Sequence, residues 1–411
     1  MDEKRAKRRG RTRAHASGLR AIPSGQNPRP QEQKRGTKTS VLVVRDPAKL
    51  ARFIPAWEEL ASVALEPNVF YEHWMLLPAL QAFGAGKDIL FVIVLIHDSD
   101  DENAPIKLGG LFPLQRKRHY KRLPAATYRL WRHVHCYLAT PLIRADAVHD
   151  CLVEFFRWLR SHEEGSRVVE FWGVRGDGQF RSALIDISNE LNLLSWVSES
   201  HTRALLRKHR VDERAEPEIS SERRRTLRRK ERRLRERGEV EHVLLRPDDD
   251  VERWIEEFLR VEASGWKGRR GSALACTAAS RAFFERVATS AFRRGRLLMS
   301  RIDFDGKAIA CRCSFVAGEG SFAFKTAYDE SFAHFSPGVI LEVDNLRRFH
   351  ALPGVRWMDS CTDSDNFIIN RLWKERTTIQ GLAIGSGSWS ELVIRAVPVL
   401  RWLGRRIPQR G

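Results

Sequence analysis

The sequence predicts an α/β protein built from two similar units side by side, each a mixed, twisted sheet flanked by helices. Three observations carry this. Ser321–Tyr328 (S-F-A-F-K-T-A-Y) alternates as a strand does, Val339–His350 carries Val339, Ile340, Val343, Leu346 and Phe349 at helical spacing, and Val355–Ser360 is a second apolar strand. Strand, helix and parallel strand form a unit whose ligands gather at the carboxyl ends of the strands. A comparable order of strand, helix and strand recurs at Tyr128–Tyr137, Ala147–His162 and Arg167–Val174. At 411 residues the chain is long enough for two such domains.

Residues 1–40 hold twelve Lys/Arg against three Asp/Glu and almost no large apolar residues. Such a segment buries too little surface to offset ordering entropy, so a disordered basic tail is expected. The first folded unit spans 41–211. Pro47–Ala64 predicts a helix with Leu50, Phe53, Ile54, Trp57 and Leu60 on one face, and Tyr71–Phe83 a second. Ile89–Ile96 predicts a central strand that pairs with Leu108–Gln115 across the Asp98–Pro105 turn. Thr140-Pro141-Leu142 stands where the second unit has Ser336-Pro337-Gly338. A ligand cleft is expected where the two units meet.

Val211–Ser221 is a linker, and the second unit covers 212–385. Ser220 or Ser221 caps an arginine-rich helix that ends before Gly238. Ten basic and three acidic residues lie in 220–237, with Leu227 and Leu234 as a thin apolar seam. The helix is expected to be solvated and packed through those leucines; a nucleic-acid-binding helix is the alternative. Asp248–Ser264 and Arg281–Gly295 are amphipathic helices. Between them Gly265–Gly271 (G-W-K-G-R-R-G), flanked by Trp266, is expected as a mobile surface loop; the alternative is an anion site in which its N–H groups, Lys267, Arg269 and Arg270 take a phosphate or carboxylate. Asp305-Gly306 marks a hairpin before Lys307–Ala317. Residues 386–411 form a basic C-terminal tail whose Leu392–Leu403 would pack on the domain or touch a membrane surface.

The net charge is +19 with pI about 10.1, and most of it sits in the tail and the basic helix. Acidic partners, nucleic acid or an anionic membrane surface, are therefore expected to meet those appendages rather than the folded body. The six cysteines show no C-x-x-C pair, which suits a reducing compartment. The longest apolar run, Ile89–Ile96, is eight residues against the roughly 20 of a membrane helix. A soluble, cytoplasmic protein is expected, peripheral at the inner membrane surface if the tails bind lipid. No zinc-spaced Cys/His set, phosphate-binding P-loop or dinucleotide fingerprint occurs, and no metal is expected.

Tyr328-Asp329, Ser336-Pro337-Gly338-Val339-Ile340-Leu341, Asp359-Ser360 and Trp373-Lys374 resemble the closing half of FemAB-like acyltransferases of the GNAT superfamily. The branch they most resemble is the CelD (BioF2-like acetyltransferase domain) type, most clearly over Ser220–Leu382. The resemblance implies two GNAT-like domains and transfer of an acyl group from a thioester, acyl-CoA, to an amine of a small molecule, amino sugar, amino acid or cell-envelope precursor. It implies an aminoacyl-tRNA donor as the alternative. Such transfer needs no enzyme nucleophile; the protein positions both substrates, polarises the carbonyl and takes a proton. Asp359, Asp329, Tyr328 and His334 are the candidate catalytic groups. Ser336, as a helix cap, the N–H groups of Gly338 and Val339, and Lys325 would hold the cofactor. Arg312, Trp266, Lys267, Trp373 and Lys374 would bind substrate. Asp359 would otherwise pair with Arg312 or Lys325. Ordinary GNAT members open this helix with Gln/Arg-x-x-Gly-x-Gly/Ala, whereas His334–Gly338 (H-F-S-P-G) offers one glycine and a proline. A rival from another class is a non-catalytic binder of nucleic acid or membrane that uses the tail and the basic helix.

Overall fold

A computed structural model describes residues 38–97, 105–120, 123, 125–161, 168–208, 219–362 and 366–386. The basic tail 1–37, the 98–104 turn, most of the 211–221 linker, the 363–365 loop and the segment after 386 lie outside the described residues. The described residues belong to one compact unit.

In chain order the first half contains β1 (Lys38–Val44), α1 (Ile54–Ser62), α2 (His73–Phe83), β2 (Ile89–His97), β3 (Lys107–Lys117), β4 (Thr127–Leu130) and β5 (Leu142–Ile143). It continues through α3 (Val148–Ser161), β6 (Val168–Arg175), α4 (Gln179–Glu190) and β7 (Leu194–Arg207). The second half contains α5 (Ser221–Arg235), β8 (Val240–Leu244), α6 (Val251–Ser264), the single turn α7 (Trp266–Arg269), α8 (Ala278–Arg293), β9 (Leu297–Phe304) and β10 (Lys307–Ala317). Then come β11 (Gly320–Tyr328), α9 (Pro337–Phe349), β12 (Trp357–Asp359), α10 (Phe367–Leu372) and β13 (Glu375–Gly385). Among the described residues no helix is long and apolar enough to cross a membrane.

All strands join one mixed sheet in the order β1-β2-β3-β4-β6-β13-β7-β12-β11-β10-β9-β8, with β5 beside β3. The order is symmetric about its centre. Each half lays down four antiparallel strands and then a parallel fifth, β4 with β6 and β11 with β12. Each half's last strand is then exchanged. β13 pairs with β6 of the first half, β7 pairs with β12 of the second, and β7 and β13 pair with each other from Leu205↔Glu375 to Leu194↔Gly385. The fold is thus mixed α/β, with a large mixed sheet flanked by helices.

Local chemistry explains most element ends. Asp305 and Gly306 both take positive φ, 49° and 73°, as a tight hairpin with the native strand twist requires. Asp250 Oδ1 accepts from the Glu252 and Arg253 N–H groups to start α6, and Ser220 Oγ accepts from Arg223 N–H to start α5. The predicted helix Pro47–Ala64 divides into a tight 3-10 segment, Pro47–Phe53, and α1, because Pro55 cannot donate back into a continuous helix. The predicted strand Tyr128–Tyr137 stops at Leu130. Trp131–Thr140 is instead a loop held by side chains: Asn68 Nδ2 donates to Leu138 O and Thr140 O, and Arg132 to Cys136 O. The 179–190 helix and β7 were absent from the sequence reading.

Two electrostatic clamps hold this arrangement. Asp359, fully buried on β12, is ion-paired with buried Arg203 on the neighbouring β7: Nη2 donates to Oδ2 at 2.7 Å, and Nε lies 2.7 Å from Oδ1. On the other side, His242 of β8 sits between Glu231 of α5 (3.1 Å) and Asp344 of α9 (3.5 Å). Those hydrogen bonds raise its pKa from 6.5 to about 9, while His242 lowers both carboxylates.

Asp359→Asn leaves the Arg203 charge buried without a counterion and is expected to cost about 3–5 kcal/mol in urea denaturation. A loss below 1 kcal/mol would show that the pair does not hold β7 to β12. Because the folded-state pKa of His242 lies above its unfolded value, its stabilisation is complete below about pH 6.5 and is lost as pH rises through about 9. The urea midpoint of the wild type is therefore expected to fall from pH 6 to pH 9.5 by more than that of His242→Gln; parallel curves would remove the clamp.

Candidate active site

β11 and β12 run parallel for three residue pairs, Gly320↔Trp357, Ser321↔Met358 and Phe322↔Asp359. Beyond that point they part. β11 continues to Tyr328, whereas Ser360 N–H turns to Ala204 O on β7 and Cys361 takes φ 51°. The parted strands make a wedge in the sheet at their carboxyl ends. Phe324 is an extra residue in β11: Cys313 pairs with Lys325 and Ser314 with Ala323, so a bulge falls at the wedge. The bulge also decides where Lys325 points. In register with Cys313, it faces α6, whose Glu262 it meets at 3.0 Å.

α9 begins at the wedge on the opposite face. Ser336 is left-handed (φ 58°, ψ 47°) and makes no side-chain cap. This corrects the cap expected at that position: its Oγ instead accepts from Lys230 Nζ of α5 at 2.7 Å. Val339 N–H is turned back on Ser336 O (3.0 Å), as is Ile340 N–H (3.1 Å), so of the two expected donors only Gly338 remains a candidate. A Cβ on Gly338 would come 3.2 Å from Tyr328 Cδ1, so the tyrosine ring lies directly against the helix start. Helix dipole, Lys230 and Tyr328 thus converge at one end of the wedge.

Other expected site residues are placed differently. Asp359 pairs with neither Arg312 nor Lys325; its carboxylate is committed to Arg203 and to Cys361 N–H (3.0 Å), with Arg175 at 3.8 Å. Asp329 caps the turn after β11, accepting from Ser331 N–H and Oγ–H. His334, Trp266 and Lys374 are exposed. Arg312 and Trp373 are buried and share one carboxylate: Arg312 Nε donates to Glu342 Oε2 (3.2 Å) and Trp373 Nε1 to Oε1 (3.0 Å). The 265–271 segment is not a loop throughout, since Trp266–Arg269 forms a helical turn that folds Lys267 inward onto Thr326 O (2.9 Å) and Glu262 (3.5 Å).

Four residues that the sequence reading missed shape the wedge: Arg203, Glu262, His133 and His135. Glu262 is fully buried on α6, its Oε2 accepting from Leu274 N–H at 2.8 Å. His133 and His135 belong to the 131–140 loop and are buried among Phe83, Phe283 and, for His135, Phe324. Neither Nε2 has a hydrogen-bond partner. His135 N–H donates to His133 Nδ1 (3.3 Å), which places the His133 proton on Nε2. Burial, helped by the Lys325 and Lys267 charges, holds His135 down to about 3, so its ring is neutral. The signal available in sequence was two histidines in an otherwise apolar run (W-R-H-V-H-C-Y).

Residues 221–367 match the family model described as an acetyltransferase (GNAT) domain. No curated protein matches the chain. Solved structures similar to it include a conserved protein of unknown function from Bacteroides thetaiotaomicron (12% identity, 81% of this chain and 97% of that one, TM-score 0.46). They also include FemX (9%, 80% and 95%, TM-score 0.48) and a tandem GNAT protein from the clavulanic acid biosynthesis pathway (10%, 85% and 99%, TM-score 0.41). The likeness to a known family thus lies in residues 221–367, which match an acetyltransferase (GNAT) domain and contain the wedge.

Proposed function

We propose that the wedge between β11 and β12 is the site of an N-acyl transfer from acyl-CoA to an amine. The observation that supports it best is the parting of two parallel strands inside the family-matched segment, beside the first turn of α9 and the Lys230 ammonium. The amine nitrogen would attack the thioester carbonyl, the tetrahedral adduct would expel the thiolate, and the amine proton would leave to a base. Gly338 N–H and Lys230 Nζ would hold a donor phosphate, since a helix N-terminus and an ammonium both favour an anion. Tyr328, whose ring packs on Gly338, would give a proton to the departing thiolate. Asp359 is excluded as the base in this reading: freeing its carboxylate would strand Arg203 in the core.

Binding of acetyl-CoA and longer acyl-CoAs would be followed by the rise in melting temperature, and turnover by release of free thiol on adding amines. Saturable stabilisation is expected, with affinity about tenfold weaker in Lys230→Met, which loses one charge-assisted contact. No stabilisation by any acyl-CoA would overturn the donor assignment. Steeply salt-dependent stabilisation by charged tRNA would then point to the basic helix α5 as the donor surface.

A further inference from the structure

Buried charges around the wedge are balanced in two places and not in a third. Arg312 faces Glu342 one to one, and the same carboxylate takes Trp373 Nε1 and Asn345 Nδ2. Arg203 at 2.7 Å and Arg175 at 3.8 Å both face Asp359, and Arg175 also acts on the buried Glu66, so two cations stand against two acids. In the third place a single carboxylate, Glu262, stands between two ammoniums. Lys325 Nζ is 3.0 Å and Lys267 Nζ 3.5 Å from the same oxygen, Oε1, while Oε2 is taken by Leu274 N–H. The side chains are 10%, 22% and 0% exposed for Lys325, Lys267 and Glu262, so one positive charge in excess is held largely out of water. Among the described residues Lys267 meets no carboxylate but Glu262, and Glu330, which accepts from Trp266 N–H, is engaged by Arg269. Burial of an uncompensated charge is costly, so the cluster is short of one anion.

A neutral histidine stands at the same place. His135, 4% exposed, stacks on Phe283 and meets Phe324, the bulge residue next to Lys325, and its Nε2 has no partner. Burial first, and then the Lys325 and Lys267 charges, lower its pKa, while its ring contact with Phe324 sets it beside the neighbour of Lys325 in β11. Two ammoniums and one imidazole nitrogen are therefore assembled on the α6 face of β11, past the last residue of β11 that pairs with β12. The excess of one charge selects the ligand: a monoanionic carboxylate balances it, whereas a phosphate dianion would overshoot.

We propose that Lys325, Lys267 and His135 receive a carboxylate of the amine acceptor, so that the acceptor is an amino acid or another amine bearing a carboxylate. This rests on the acyl-transfer reading for the amine, but the carboxylate site stands on the charge balance alone. Lys325 and Lys267 thus act as substrate-binding groups, and Glu262 positions both.

The full-length protein would be titrated with propionate, with propionamide as its uncharged analogue, and with inorganic phosphate, following the melting temperature without any acyl donor. A saturable rise is expected with propionate and not with propionamide, and it is expected to vanish in Lys325→Met. That variant leaves Lys267 and Glu262 balanced one to one, so its melting temperature without ligand should equal or exceed that of the wild type. A melting temperature several degrees below wild type, with no propionate response in either protein, would make Lys325 a structural cation and overturn the proposal. Phosphate stabilising more than propionate, with that stabilisation lost in Lys325→Met, would overturn the carboxylate assignment; a phosphate response retained in Lys325→Met belongs to the Lys230 end of the wedge and leaves the assignment to the propionate result. With acetyl-CoA present, glycine is expected to be acylated at least tenfold faster than glycinamide. Equal rates would overturn the acceptor assignment alone, and no turnover with an intact propionate response would overturn the transfer reading alone.

Discussion

The ion pair between Arg203 and Asp359 is the contact on which the rest of the arrangement depends. Arg203 lies on a strand laid down by the first half of the chain, and Asp359 on a strand of the second. Their pairing holds β7 in the second half of the sheet, and β13 makes the reciprocal crossing. A buried pair of this kind adds little net stability over apolar residues of the same volume, but losing one partner is severe. Its value here is in register. Arg203 also donates through Nη1 to Tyr137 O at 2.6 Å, so the same guanidinium that fixes β12 fixes the loop carrying His133 and His135. The first half thereby contributes a wall to the wedge of the second.

That wall explains why the two halves are unequal in chemistry although the strand order repeats. In the first half the parallel pair β4 and β6 also parts early, after Tyr128↔Val169 and Arg129↔Glu170. There the chain beyond β4 does not stay in the sheet. It leaves as the 131–140 loop and meets α8 and β11 of the other half through His135, Phe283 and Phe324. In the second half β11 stays in the sheet through Tyr328, and the bulge at Phe324 sets two successive residues, Phe324 and Lys325, on the α6 face. One wedge is thus spent on a wall between the two halves of the sheet, and the other is lined by it.

The sequence carried enough signal for the elements whose periodicity is undiluted. β2 is a continuous apolar run, α6 and α9 show helical spacing, and Asp305-Gly306 allows only a tight hairpin. β7 lacked such a signal because its central residues are exposed: Glu199, Ser200, His201 and Thr202 lie outward with no alternation to detect. Without that strand the partner of Asp359 is out of view, and the acid reads as a candidate base or as a partner of Arg312 or Lys325 instead of Arg203. Lys325 was ambiguous for a different reason. A one-residue bulge reverses the face of everything beyond it, and no residue type announces it. Lys267 sat in a glycine-rich stretch of the kind that makes loops, yet Gly268 here allows a tight helical turn, since a Cβ there would lie 1.8 Å from Ala263 O.

The basic helix α5 is part of the site as well as a charged surface. Leu234 is buried, Leu227 packs against the apolar clusters under α9, and the His242 clamp ties Glu231 to Asp344 across the groove between the two helices. Lys230 on the same helix and Arg237 just past its end reach Ser336 and Phe335, the residues that lead into α9. A left-handed Ser336 is a conformation that costs of order 1–3 kcal/mol for a residue with a Cβ. The Lys230 contact holds it there, and that is what turns the α9 N-terminus toward a helix carrying an ammonium instead of leaving it capped by its own serine. The family-matched segment begins at 221, the first residue of α5. The arginines along α5 are therefore fixed relative to the wedge, and any anion they attract arrives beside the helix end that would bind a donor phosphate.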